Sequence, residues 1–405
     1  MPAGGVHGAV GQVGASVADG DGVDRDVGGV QHRRLGSEDV VVAGAAGQNQ
    51  WSGIPALLVS VQGLHDGRCT DRYSQLGFIA GAEALRTAGL DPQGWDAARV
   101  GVVIGTSVGG VSTLQEQITR QASGEKVSAL TVPMFAPNML PGQLALHWQI
   151  HGPTFAVSTA CASGATALGL AAQLVRSGAC DLVLAGGSDA PVTRILSGAF
   201  ARMNALSSRC TNPAAASRPF DAARDGFVLG EGAAVLVLER ATHASARGAP
   251  VLARLAGFGA SADAHHITDP HPHSYGLEQA ITTALAEAGA TPADVDHVNA
   301  HATGTPKGDL LEARLLARLC GQASVTSAKG TLGHTMGAAG AIEAALTVRT
   351  IAEQTVPPTA NLDRLDAAID LDVVTGAARN QHVRLALSNS SGFGGQNAVL
   401  LFTAP

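Results

Sequence analysis

The chain has 405 residues, 45% of them hydrophobic but only 3% aromatic, with 51 glycines and a formal charge of −7. That length exceeds what one hydrophobic core usually supports, so a large two-part unit or two closely packed domains is expected, and the composition excludes a disordered or fibrous chain. Without a basic block or a Lys/Arg stripe, neither nucleic acid nor a membrane is indicated as a partner, and no run approaches the ~20 apolar residues that span a bilayer.

Residues 1–68 show little periodicity and are expected to form an atypical N-terminal segment, partly disordered or with an altered first strand; only 38–47 (EDVVVAGAAG) and 54–61 (IPALLVSV) read as strands there. From Asp71 the pattern sharpens, and DRYSQLGFIAGAEALRTAGL predicts a helix with Phe78, Ala82 and Leu85 on one face and Gly89 as its stop. RVGVVIGTS reads as a buried strand. Next come a strand at TFAVSTA, a helix at SGATALGLAAQLVRSG, and strands at DLVLAGG and GAAVLVLER. The alternation predicts a largely parallel sheet covered by helices. The helix after Cys161 is apolar almost all round, so it must be buried on both sides, which points to a helical layer between two sheets.

A second series starts near Val251 with the strand VLARLAGFGAS and a helix carrying Leu277, Ile281, Leu285 and Ala288 at helical spacing. The strand VDHVNAHA, the helix DLLEARLLARL, the strand SVTSAK, the helix GAAGAIEAALTVRTIA and two closing strands, VRLALSNSS and NAVLLF, complete it. Two αβ halves of comparable order, 69–250 and 251–405, suggest an internal duplication with the active site where they meet.

Five cysteines (Cys69, Cys161, Cys180, Cys210 and Cys320) form no C-x-x-C pair and are odd in number, which argues against a disulfide framework or zinc knuckle and leaves at least one thiol free. The first twenty residues lack a basic start followed by a hydrophobic stretch, so the expected location is cytoplasmic. In VSTACASG, Cys161 falls between a strand ending near Ala160 and a helix starting near Ser163. There the positive end of the helix dipole favours thiolate, and the residue's own N–H is free to help hold an oxyanion. A small buried residue at a tight turn is the alternative for a lone cysteine.

NAHATGTPKGDLLEA places His301 after a strand, Thr303, Thr305 and Asp309 on the following loop, and Glu312 on the next helix. SAKGTLGHTMGAAGAIEAAL puts Lys329 at a strand end, His334 five residues on, and Glu343 within a helix. Each histidine is read as ending a strand; small flanking residues leave room for a ligand, and neither has metal-ligand spacing, so both read as proton or hydrogen-bond donors. NSSGFGGQNA sets Phe393 on a glycine-rich turn between strands, where its N–H could complete an oxyanion hole with that of Cys161; no Lys-Ser/Thr follows, which argues against a phosphate loop. Residues 218–239 have the glycine density of a loop threading beneath an active site, or equally of a tight turn before a strand. His265, His266, His271 and His273 invite a metal, but Pro270 and Pro272 mark an exposed loop and no cysteine or carboxylate pair completes a ligand set, so no metal site is expected.

Taken in order, TACASG, AGGSDA, NPAAASRPFDAARDGFVLGEG, HATGTPKGD, KGTLGHTMGAAGAIE and GFGGQN resemble the β-ketoacyl synthase family of elongating type II ketosynthases, from about Asp71 to Phe402. The resemblance implies a thiolase-like α/β fold of five layers, αβαβα, with two duplicated halves. It implies that Cys161 takes the acyl group, that the N–H groups of Cys161 and Phe393 form the oxyanion hole, and that His301 and His334 hold the malonyl thioester while carbon dioxide leaves. Lys329 and Glu343 would orient His334, with Asp309 and Glu312 in the same polar network. Thr303 and Thr305 match positions that meet the pantetheine arm, Phe393 a gate beside the nucleophile, and Val108 a position lining the acyl pocket. No metal or redox cofactor is implied, since the substrates ride on the 4′-phosphopantetheine of an acyl carrier protein, in fatty acid or type II polyketide synthesis. Related enzymes are homodimers, paired partly through the strand before the nucleophile, here about Phe155 to Ser158; a heterodimer with a chain-length factor is the other arrangement.

Two departures stand out. Ser390-Ser391-Gly392-Phe393 lacks an aromatic that many fatty acid enzymes carry, and residues 1–68 lack the family's usual opening strand and tryptophan-bearing helix in recognisable form. A non-catalytic chain-length factor or scaffold is the rival reading, against which Cys161 argues. A thiolase would need a second cysteine near the C-terminal glycine-rich motif, and there is none after Cys320.

Overall fold

The computed structural model describes residues 39–46 and 70–405. The first half runs β1 (Val40–Ala46), α1 (Arg72–Ala88), β2 (Val100–Gly105), α2 (Val111–Ala122), α3 (Thr131–Phe135), α4 (Met139–Trp148), β3 (Thr154–Val157), α5 (Ser163–Arg176), β4 (Leu182–Asp189), α6 (Arg194–Arg202) and β5 (Gly232–Arg240). After α7 (Ala241–Ala246) follow β6 (Ala253–Ala262), α8 (Tyr275–Ala288), β7 (His297–Asn299), α9 (Pro306–Cys320), β8 (Ser324–Thr326), α10 (Lys329–Leu332) and α11 (Ala339–Glu353). Short strands β9 (Thr355–Val356), β10 (Asp372–Val373) and β11 (Arg379–Asn380) lead to β12 (Leu385–Gly392) and β13 (Gln396–Thr403). The strand expected at 38–47 is β1, which the valines favour; the one expected at 54–61 lies outside the described residues.

Eleven strands form one sheet in the order β10-β8-β7-β12-β13-β6-β1-β5-β4-β2-β3. Each half repeats one plan. Leaving aside the short β9, β10 and β11 and numbering each half within itself, the first reads third-second-fourth-fifth-first (β3-β2-β4-β5-β1) and the second reads the same (β8-β7-β12-β13-β6), with β10 added at its edge. The largely parallel sheet read from the alternation is corrected: β4 pairs antiparallel with β5, β12 with β13, and β1 with both β5 and β6, so the sheet is mixed. In the second half the tight turn from β12 to β13 leaves no room for a crossover helix and requires antiparallel pairing; in the first half β4 and β5 pair the same way although α6 lies between them in the chain.

Successive strand residues point to opposite faces, and the cores follow that alternation. Val103, Val183 and Leu236 from one half face Ala386, Ala398 and Leu400 from the other, with Leu168 and Val175 of α5 and Ala344 and Val348 of α11 between them. Val102, Leu184 and Val235 point the other way, onto Tyr73 and Ala84 of α1 and Leu140 and Leu144 of α4. Val298, Leu387 and Val399 point onto Leu277 and Ile281 of α8 and Leu316 of α9. Helix, sheet, helix, sheet, helix gives the five layers, with α5 and α11 in the middle, as the all-round apolar sequence of α5 requires.

Asp71 caps α1 by accepting from Tyr73 N at 3.0 Å, and Gly89 closes it in the left-handed conformation at φ 66°. The buried face of α1 differs from the expected one. Ala82 is exposed, and the face centres on Tyr73, Gly77, Ala80, Ala84 and Leu85, because Gly77 and Gly81 let Leu140 and Trp148 of α4 press against the helix. Among the described residues no helix is long and apolar enough to cross a membrane. β3 is a sheet edge, and Phe155 on it is 51% exposed.

Candidate active site

The backbone leaves β3 at Val157, turns through Ala160 in a left-handed conformation (φ 49°), and enters α5 at Ser163, leaving Cys161 at the bend. Ser163 Oγ ties the bend by accepting from Thr159 N at 2.9 Å and donating to Ala160 O at 2.6 Å. Cys161 is buried against Phe200, Phe227 and Met336, with Phe393 alongside. Gly392 lies so close that a Cβ there would sit 2.6 Å from Thr159 O and 3.1 Å from Cys161 N, which is why the turn carrying Phe393 can reach the sulfur. The backbone N–H groups of Phe393 and Cys161 lie on the sulfur's side and favour its charged form. Burial opposes the expected thiolate: it pushes the thiol up to about 12, ahead of Lys329 and the two N–H groups, which pull it down.

His301 and His334 stand edge to face with ring centroids 5.5 Å apart, and Phe227 meets His334 at 5.3 Å. Phe200 and Phe393 at 6.3 Å close the chain of rings back to Cys161. His301 follows β7 by two residues. His334 does not end a strand, contrary to expectation: it follows α10 and Gly333 (φ 68°), and is held by donating N–H to Val228 O at 2.7 Å and accepting from Gly230 N at 3.0 Å. The 218–239 segment therefore runs directly beside this histidine, as the loop reading of its glycines expected. Nδ1 of both imidazoles is sealed from solvent without a hydrogen-bond partner. An orphaned acceptor costs less than an orphaned N–H in such a place, so the proton belongs on Nε2 of each ring. Burial, with the Lys329 charge second, holds both imidazoles well below their ordinary value, and they are neutral donors at physiological pH.

Lys329 begins α10 rather than ending a strand, and its Nζ donates to Glu343 Oε1 of α11, both groups buried. Burial pushes Glu343 up to about 7, with Lys329 opposing. Asp309 was expected on a loop; it lies in the first turn of α9, fully buried, where it accepts from Gly304 N at 3.0 Å and Phe220 N at 2.9 Å. Burial raises it to about 6, against Phe220 N–H and the Arg224 guanidinium 3.7 Å away. Glu312, one turn on, accepts from His301 N at 2.9 Å and Ala302 N at 2.8 Å, and from Asn389 Nδ2 at 3.1 Å. Thus two carboxylates of one helix fix the backbone that carries His301, Thr303 and Thr305. Thr303 and Thr305 face each other at 3.1 Å between their hydroxyls.

Val108 sits on the loop after β2, half-buried. The loop bearing the other four histidines meets the Phe393 turn, where Ile267 O accepts from Gly394 N at 2.8 Å; in it His265 and His271 pair at 5.0 Å, and His271 and His273 stack about Tyr275 at 4.8 and 5.5 Å. Among the described residues no group of three or more His, Cys, Asp or Glu is arranged to hold a metal ion. Sequence reasoning did not single out Phe200, Phe227 or Met336, which wall the sulfur. Phe227 lies inside the glycine-rich 218–239 segment, the one signal that could have found it.

Two family descriptions match the sequence in succession, Beta-ketoacyl synthase, N-terminal domain, over residues 59–244, and Beta-ketoacyl synthase, C-terminal domain, over residues 252–363. The chain is 41% identical over 345 residues, 83% of each protein, to 3-oxoacyl-(acyl-carrier-protein) synthase 2 of Vibrio cholerae serotype O1. Its fold matches a β-ketoacyl synthase from Burkholderia phymatum STM815 with a TM-score of 0.83 at 31% identity, covering 91% of this chain and 99% of that one. It also matches, with a TM-score of 0.82 at 28% identity and the same coverage, a structure described as a type II PKS acyl-carrier protein in complex with its ketosynthase bound to the hexaketide. With both parts of the family matched in order along one chain, this protein belongs to the β-ketoacyl synthase family of carbon–carbon-bond-forming acyltransferases.

Proposed function

We propose that the chain is a β-ketoacyl-acyl-carrier-protein synthase of fatty acid synthesis, condensing an acyl group held on Cys161 with a malonyl group delivered by acyl carrier protein. The observation that carries this reading is a buried cysteine at a helix start, pressed by the Gly392–Phe393 turn, in one apolar cluster that reaches two neutral histidines. The sulfur of Cys161 attacks the acyl thioester carbonyl, and the oxyanion rests on the N–H groups of Cys161 and Phe393. The carrier thiol leaves with the proton that Cys161 gives up, and the acyl-cysteine remains. A malonyl thioester then enters, its arm passing Thr303 and Thr305. Nε2–H of His301 and His334 hydrogen-bond its carbonyl oxygen, so the carbon–carbon bond to the carboxylate breaks and its electron pair becomes an enolate held by two donors. The enolate carbon attacks the acyl carbonyl, the Cys161–carbon bond breaks with its electron pair on sulfur, which takes up a proton from solvent, and the product is a β-ketoacyl thioester one two-carbon unit longer.

Lys329 and Glu343 set the charge beside His334, and Glu312 with Asp309 holds His301. Carbon dioxide release drives the reaction, so no metal or redox cofactor enters this reading. Val108 lines the acyl pocket in it, and Ser391, which donates to Asn397 Oδ1 at 2.8 Å, leaves the pocket side of the Phe393 turn without an aromatic. The exposed β3 edge with Phe155 suits pairing with a second copy of the chain, or with a chain-length factor, in the cytoplasm. The test is intact-protein mass spectrometry after incubation with a panel of acyl-carrier thioesters, followed by malonyl-carrier. A mass gain equal to one acyl group, discharged as carbon dioxide is released, is expected; no gain with any donor overturns the reading.

A further inference from the structure

Asp189 ends β4 and is fully buried, yet it lies outside every motif role assigned above. Its Oδ1 accepts from Thr106 Oγ1 at 2.6 Å and Val108 N at 3.4 Å, and its Oδ2 from Ser107 N at 2.9 Å, Ser107 Oγ at 2.5 Å and Gly337 N at 2.7 Å. Thr106 Oγ1 in turn accepts from Gly109 N at 3.0 Å, so the loop that bears Val108 wraps one side of the carboxylate. On the other side Gly337 belongs to the turn Met336–Ala338, three residues past His334. Met336, at φ 53°, is one of the residues packed on Cys161.

A carboxylate in a dry place keeps its charge only while its donors stay within bonding range. Burial pushes Asp189 above the usual carboxylate range, and the Ser107, Thr106 and Gly337 donors pull it back down. The loop and the turn are therefore tied through one group: Val108 N bonds Oδ1 of the same carboxylate whose Oδ2 seats Gly337. We infer that Asp189 is a positioning residue that couples the acyl-pocket loop Thr106–Gly109 to the turn after His334, so that the fit of the acyl chain sets the alignment of the His334 donor. The inference rests on the condensation reading for its catalytic consequence, while the coupling itself is a property of the fold.

Two variants test it. Ser107→Ala removes the loop's hydroxyl donor to Asp189 Oδ2 and leaves Gly337 N its own bond to that oxygen. Hydrogen exchange followed by mass spectrometry, without substrate, is expected to rise at 334–339 as well as at 104–110. A rise confined to 104–110 overturns the coupling. Asp189→Asn turns one acceptor oxygen into a donor facing the N–H groups of Ser107 and Gly337; the ratio of malonyl decarboxylation to acyl loading should fall about 10-fold, as a small misplacement of a catalytic donor allows. Across acyl donors of different length, that fall should be largest for those that reach Val108. Loading and decarboxylation falling in parallel, as for a merely destabilised protein, overturns the positioning role. Should Asp189→Asn fail to fold, Ser107→Ala decides alone, by the same ratio. Because the exchange readout needs no substrate, a chain that loads no acyl group would end the condensation reading and leave the coupling to be judged on its own.

Discussion

Cys161 sits among apolar side chains, whereas His301 and His334 have buried charged groups close behind them. Around the sulfur stand Phe200, Phe227 and Met336, and its polar neighbours are two N–H groups. Behind the histidines stand Lys329 with Glu343, and Glu312 with Asp309. The difference suits the two jobs. A nucleophile that must be acylated by a bulky thioester gains from a dry, rigid seat whose donors wait for an oxyanion. Imidazoles that must stabilise an enolate as hydrogen-bond donors gain from a fixed neutral state, which burial and a nearby cation enforce.

The comparison breaks most sharply at Cys161. Cys161→Ala should remove every detectable acyl adduct, because no other group is seated to replace the sulfur; an adduct still seen by intact mass would show that a second nucleophile serves. Next in size, His334→Ala should keep acyl loading yet lower malonyl decarboxylation by about 100-fold, the usual loss on deleting one oxyanion donor. Carbon dioxide release from malonyl-carrier measures it, and a wild-type rate would place the enolate elsewhere.

Smaller again is Glu312→Gln. One amide oxygen can replace only one of the two oxygens that accept from His301 N and Ala302 N, and the amide NH2 then faces a buried N–H. Leaving such a donor unpaired costs about 1–3 kcal/mol, so decarboxylation should fall by roughly 10-fold, with loading affected less. Equal losses in both half-reactions would mean that Glu312 supports the whole fold rather than the His301 backbone.

Much of this was legible in the sequence, and the misses have physical causes. α5 could be placed in the middle layer because residues apolar on all sides have only one kind of home. The face of α1 was misjudged because its contact is made at Gly77 and Gly81, which carry no hydrophobic signal. The parallel sheet was misjudged because periodicity within a strand says nothing of its neighbour's direction. In the site, Cys161, His301, His334, Lys329 and Phe393 sit in short motifs with small flanking residues. Asp189 and Met336 also lie inside motifs, AGGSDA and KGTLGHTMGAAGAIE, but what they touch is set by packing between distant segments, as is the place of Phe200, and spacing along the chain does not reveal it.

The subtlest test concerns the thiol itself, where helix start and burial pull in opposite directions. The dipole and the two N–H groups favour thiolate; burial disfavours it and wins, pushing the thiol up to about 12. Well below such a value the thiolate fraction grows tenfold for each pH unit, so the rate of Cys161 alkylation by a small neutral reagent should climb steadily from about pH 6 to about pH 9 without levelling. Cys210 is exposed and reacts too, so the measurement follows the Cys161 peptide by mass. A plateau near neutral pH would mean that the field of α5 overcomes burial. The Cys161 side would then be governed by charge, as the histidine side is, and the contrast between the two would reduce to which charges do the holding.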